Sequence, residues 1–209
     1  YYSRVRNMQK AAIQVMEEYD GRIPEDFETL LSLKGIGRYT AGAIASIAYG
    51  KKVPAVDGNV LRVYARLTEN RGDIMKQSVR KAVENELTER MPKDRPGDFN
   101  QALMDLGATI CLPNGAPLCE KCPWQMRCEA RRTGKEQQLP VKEEKKQRRK
   151  EKRTVLRIRL EDRVVIGKRP ERGLLANLYE LPNAEGWLTE AQAEEACRTL
   201  GYEPKAIRK

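Results

Sequence analysis

Two glycines, an acid and four cysteines carry the chemistry that this sequence can offer. Leu33-Lys34-Gly35-Ile36-Gly37-Arg38-Tyr39-Thr40-Ala41 places Gly-x-Gly between an apolar residue and a run of small residues. That pattern predicts a tight turn between two helices, where the absence of side chains lets a partner approach the backbone. The N–H groups that open the second helix suit a phosphate oxygen. Val56-Asp57-Gly58-Asn59 follows about two helices' length later. Asp57 reads equally well as a helix cap or as a carboxylate that meets a developing positive charge. Asn59 beside it could orient a water or share that field. Tyr39 could hydrogen-bond next to a sugar or be a core tyrosine.

Cys111, Cys119, Cys122 and Cys128 are spaced C-x7-C-x2-C-x5-C, with Cys197 apart. Four thiols this close can surround one metal centre. A disulfide pair is the weaker reading, because nothing points to secretion and a helical core needs no staple. Zinc ribbons use two C-x2-C knuckles and only one is present, which leaves zinc and iron–sulfur both open with iron–sulfur ahead. The chain has no histidine, so catalytic pairs or metal sites that need one are excluded.

These residues sit in a 209-residue chain with net charge +10, 40% hydrophobic and 33% charged residues. The size allows one sizeable helical core and a smaller unit. The charge favours a polyanionic partner such as nucleic acid. No apolar run approaches the length of a membrane span, so a cytoplasmic, nucleoid-associated location and no membrane partner are expected.

Helical periodicity marks the elements that must position the site. Val5, Met8, Ala12, Val15, Met16 and Tyr19 form a stripe closed by Gly21. The hairpin covers about 25–49, its second helix running from Arg38 to Tyr49. Further helices are predicted over Gly58–Leu67, Gln77–Met91 and Asp98–Thr109, with Pro96 and Gly97 as separators. The helical domain thus spans 1–110 and the cysteine loop 111–130. Residues 131–153 hold eleven Lys/Arg against four Asp/Glu and read as a basic linker. In 154–209 the period changes to that of strands. A β-hairpin is predicted around Glu161-Asp162-Arg163, a short strand at Tyr179–Leu181 and a helix over Thr189–Leu200. This tail is too short to close a sheet domain, and the chain is expected to stop inside its second domain.

The Gly-x-Gly hairpin, Val-Asp-Gly-Asn and four clustered cysteines, in that order, resemble the helix-hairpin-helix superfamily of DNA glycosylases. Three features resemble its MutY branch of adenine glycosylases more than its endonuclease III branch. Tyr39 stands where the latter carries a Schiff-base lysine. Asp57-Gly58-Asn59-Val60 is typical of the MutY branch. Leu174–Pro182 resembles the start of that branch's Nudix-like C-terminal domain. The resemblance implies a mainly α fold followed by the start of a small α+β domain. It implies a 4Fe–4S cluster on Cys111, Cys119, Cys122 and Cys128, although the first gap is one residue longer than usual. It implies hairpin contacts to DNA from Leu33, Gly35, Gly37, Arg38, Tyr39 and Thr40, and catalytic parts for Asp57, Asn59 and Tyr39. The implied reaction is removal of adenine opposite 8-oxoguanine or guanine in double-stranded DNA, by a monomer. A bifunctional glycosylase/lyase or a non-catalytic DNA-binding module is the alternative. The family's catalytic glutamate lies in an N-terminal portion that precedes Tyr1, and Glu17, Glu18, Glu25 and Glu28 match no such motif. A fragment of a longer enzyme, or a partner chain, is therefore expected.

Overall fold

The computed structural model describes residues 2–143 and 150–208. The chain divides into two compact units, Tyr1–Glu144 and Lys145–Lys209.

The first unit is helical. Helix α1 (Tyr2–Glu18) leads into α2 (Phe27–Ser32), whose N-terminus Asp26 caps by accepting the Thr29 N–H at 2.9 Å. The predicted α1 stripe is rotated: Val15 is buried, but Val5, Met8 and Met16 are exposed. Two polar residues explain this. Asn7 fills the space beside Gly35, and Gln14 Oε1 accepts the Lys34 N–H at 3.3 Å. The face toward the hairpin serves the turn's backbone as well as the core.

Helix α3 (Arg38–Ala43) does not continue as one α-helix to Tyr49, because Ile44–Ala48 widens into a π turn. That turn lies where other backbone comes very close. A Cβ on Gly42 would stand 2.3 Å from the Pro54 carbonyl oxygen, and one on Gly97 2.9 Å from that of Ser46. Asn100, fully buried, ties the same region together by donating to Ser46 Oγ and the Val53 carbonyl. Helix α4 (Gly58–Leu67) is central. It packs with α5 (Gln77–Arg90) and α6 (Pro96–Thr109) through Val60, Leu61, Val63, Tyr64, Val83, Leu87 and Leu103. Pro96 and Gly97 open α6 instead of separating it, since a first-turn proline lacks only an N–H that has no helical partner.

The predicted linker begins too early. After α7 (Glu129–Thr133), Leu139 is buried, and Ile74 donates its N–H to the Val141 carbonyl at 3.1 Å. Thr133 and Lys135 both bond Glu69. One apolar anchor and one carboxylate hold this basic stretch on the helices. Its part over 144–149 lies outside the described residues.

In the second unit, β1 (Arg153–Val155) pairs with β6 (Asn183–Glu185), β2 (Arg159–Leu160) with β3 (Arg163–Val164), and β4 (Gly167–Lys168) with β5 (Tyr179–Glu180). All three pairs are antiparallel. The hairpin turn is Glu161-Asp162 alone, with Glu161 at φ +55° and Arg163 already in the strand. Helix α8 (Glu190–Thr199) starts on a Thr189–Gln192 capping box and buries Cys197.

Candidate DNA-binding and catalytic site

The hairpin places its glycines as the turn requires. Gly35 has φ +81°, and a Cβ there would meet Asn7 Cβ at 2.5 Å. Above Gly37, the residue that precedes α3, a Cβ would meet nothing within 4 Å, so this surface is open to a partner. Thr40 is exposed on the first turn of α3. Two expected DNA contacts take other positions. Leu33 is buried in the cluster of Val15, Leu30, Ala41 and Ala45. Arg38 is committed within the protein: its Nη2 donates to Glu84 Oε2 at 2.7 Å, its Nε bonds both carboxylate oxygens, and its guanidinium stacks 5.2 Å over Phe27. The Glu84 carboxylate raises the Arg38 pKa. Sequence spacing places Arg38 on the hairpin surface but does not reveal this acid on α5.

Asp57 is the N-cap of α4 and is half-buried. Its Oδ1 accepts the N–H groups of Asn59 and Val60, both at 2.8 Å, and its Oδ2 accepts Asn59 Nδ2 at 3.0 Å. The capping geometry fixes the carboxylate and leaves lone pairs on both oxygens. Asn59 is held from both ends, since its Oδ1 accepts Arg62 Nη2 at 3.0 Å. Both ends of its amide are thereby engaged within the protein, one on Asp57 and one on Arg62.

Helix α6 brings this cap beside the hairpin. Tyr39, 40% exposed, directs its hydroxyl to Met104 Sδ at 3.6 Å. Asn59 lies against Gly107, where a Cβ would come within 2.7 Å of Asn59 Cβ. Residues 104 and 107 are neighbours on one helix face. Tyr39 and the Asp57–Asn59 cap therefore occupy adjacent turns of α6.

Cys111, Cys119, Cys122 and Cys128 line a single small cavity with Arg66, Arg131 and Glu136. All four are free thiols. Burial pushes the thiols of Cys119, Cys122 and Cys128 up, and neighbouring cysteines add to the rise. The Arg131 guanidinium opposes it at Cys119 and Cys122. Arg66 Nη1 stands 3.3 Å from Cys111 Sγ, and Arg131 Nη1 is buried with no acceptor. A sulfur-rich anion with four cysteine ligands fits these walls, in donor type, in number and in the orphaned donor it would meet. Among the described residues, no three Cys, Asp or Glu side chains form a ready single-ion site.

Sequence reasoning missed Arg62 and Arg66, both almost fully buried. Arg62 donates to the carbonyls of Gly107 (2.6 Å) and Cys111 (2.8 Å) as well as to Asn59. Arg66 bonds the carbonyls of Leu139 (3.0 Å) and Leu112 (2.9 Å). Burial lowers the Arg62 pKa. The signal was their register: 59, 62 and 66 form one helical stripe behind the cap. Through it the Asp57 cap and the cysteine loop are joined by continuous hydrogen bonds.

The helix-hairpin-helix motif family matches residues 18–47, the segment that contains the glycine turn. A human adenine DNA glycosylase is 46% identical over 140 residues, covering 66% of this chain and 26% of the relative. An Arabidopsis thaliana adenine DNA glycosylase is 37% identical over 212 residues, covering 95% and 33%. The chain is thus similar to adenine DNA glycosylases and carries a helix-hairpin-helix motif. Among solved structures, a thermostable thymine-DNA glycosylase superimposes with TM-score 0.54 at 33% identity, over 61% of this chain and 58% of that one. A non-covalent endonuclease III–DNA complex gives TM-score 0.53 at 31% identity, over 63% and 59%. The chain spans about a quarter of the human relative and a third of the plant one.

Proposed function

We propose that this chain takes part in excising adenine from duplex DNA in which it faces 8-oxoguanine or guanine, by hydrolysis of the N-glycosidic bond. The observation that carries the proposal is the convergence of Tyr39 and the Asp57–Asn59 cap on one face of α6, in a chain whose relatives are named adenine DNA glycosylases. A base must leave the stack before its bond to the sugar can be cut. The open backbone from Gly35 to Thr40 would hold the phosphates beside that nucleotide without reading sequence. As the base departs, the sugar gains positive charge. Asp57, held by Asn59, which Arg62 holds in turn, would stand next to that charge. Two unit charges about 4 Å apart at an effective dielectric of about 20 interact by roughly 4 kcal/mol. That is about a thousandfold in rate. Tyr39 has no amine, which supports hydrolysis by water over a covalent Schiff base.

In this reading, Cys111, Cys119, Cys122 and Cys128 would hold a 4Fe–4S cluster. When bound, the cluster would supply a rigid anchor and a one-electron centre. Arg62 would carry that rigidity to the cap through the Cys111 carbonyl. The segment from 154 onward would be the beginning of a Nudix-like domain, and the protein would act as a monomer. The test is a single-turnover assay on a duplex with adenine opposite 8-oxoguanine. Excision by this chain that is lost in Asp57→Asn, with duplex affinity kept, supports the reading. Tight binding with no excision, both by this chain alone and by the chain extended with an N-terminal portion that supplies the family's glutamate, would leave it a DNA-holding module and overturn the catalytic part.

A further inference from the structure

We propose that Arg131 is a hydrogen-bond donor to the sulfur-rich group in the four-cysteine cavity and sets that group's reduction potential. This rests on the iron–sulfur reading above. Three observations carry it. One arm of the guanidinium is anchored, with Nη2 donating to Glu120 Oε1 at 2.6 Å. The other nitrogen, Nη1, is buried and finds no acceptor. A buried N–H without an acceptor costs free energy that an acceptor in the cavity would recover. Finally, Arg131 belongs to the wall that the four thiols share.

Neither Arg66 nor Arg132 offers such an unpartnered buried donor. Arg66 already divides its Nη1 between Cys111 Sγ and the Leu112 carbonyl. Arg132 holds Glu129 through both Nε and Nη2. Arg131 follows Cys128 by three residues at the start of α7, so ligand and donor lie on one side of the same short helix. The planar fork, fixed at one end by Glu120, is pre-organised to present the other end. Hydrogen bonds and positive charge at cluster sulfurs stabilise the reduced, more negative form and raise the potential.

The experiment uses the whole chain, loaded with iron and sulfide and assayed for both. Resonance Raman spectra of the Fe–S stretches are compared in H2O and D2O, and the midpoint potential is read by voltammetry. The expected result is a deuterium-sensitive band that weakens in Arg131→Met, with a midpoint moved to more negative potential. Arg131→Lys should move the midpoint less than Met does, because it retains charge but not the fork. If Arg131 were only a partner for Glu120, both variants would melt earlier while band and midpoint stayed in place, and the proposal would fail. A wild-type chain that takes up zinc and no iron overturns the iron–sulfur reading, and the proposal with it. Iron and sulfide present with an unmoved midpoint overturn the proposal alone.

Discussion

Asp57 holds two parts that are usually argued separately, cap and candidate catalyst, and the choice of substitution separates them. Asn caps a helix about as well as Asp, so Asp57→Asn should melt close to the unaltered protein. It loses the negative charge, and excision should fall about a thousandfold on the Coulomb estimate, read as a single-turnover rate. Asp57→Ala removes the cap as well and should cost about 1 kcal/mol of stability by thermal melting. Equal rates for Asp57→Asn and the unaltered chain would confine Asp57 to capping. Tyr39 supports a second prediction. Borohydride added during reaction should trap little covalent protein–DNA product, since no amine stands at that position. Efficient trapping would redirect attention to Lys34, Lys51 or Lys52 and to the lyase alternative.

At the scale of elements, α6 and α4 decide where the cap stands. Gly107→Ala would place a methyl 2.7 Å from Asn59 Cβ, between two helices that are both fixed by packing. Overpacking of this kind costs about 1–3 kcal/mol. Excision should drop further than duplex affinity, because Asn59 holds Asp57; equal losses in both would mean the helix pair shifts as a whole. Glu69 is the clamp between α4 and the stretch after α7. Hydrogen bonds from Arg71, Lys135 and Thr133 lower its pKa from 4.5 to about 2. A depressed carboxylate stabilises the fold above its unfolded pKa, and that contribution is lost as pH falls through the folded value. Acid melts should therefore show stability declining between about pH 4.5 and 2, and Glu69→Gln should flatten that interval. Helix periodicity made α4, α5 and the glycine turn legible, because their apolar residues recur within one element. It could not reveal Arg38 bound to Glu84, Arg62 on the Cys111 carbonyl, or Leu139 anchoring a basic run. Each of those depends on a partner 45 or more residues away, and charge pattern alone reads all three segments as solvated.

For the molecule as a whole, a net charge of +10 invites the conclusion that its cations collect on DNA. The structure divides them. Arg38, Arg62, Arg66, Lys51 and Lys135 are engaged with acids or carbonyls of the protein itself. Affinity for duplex should fall linearly as log salt rises, by about 0.9 in slope for each phosphate neutralised. Cations held internally should leave that slope alone. Arg38 is the decisive case, since it stands on the hairpin proposed to face DNA yet bonds Glu84 and stacks on Phe27. Arg38→Ala should lower the melting temperature and leave the salt slope unchanged in a fluorescence-anisotropy titration. A slope reduced by about 0.9 would instead show that Arg38 releases Glu84 and takes a phosphate when DNA binds. In that event the hairpin would exchange an internal acid for an external one, and the Glu84 carboxylate would be left facing the duplex at a cost the same titration with Glu84→Gln would expose as tighter binding.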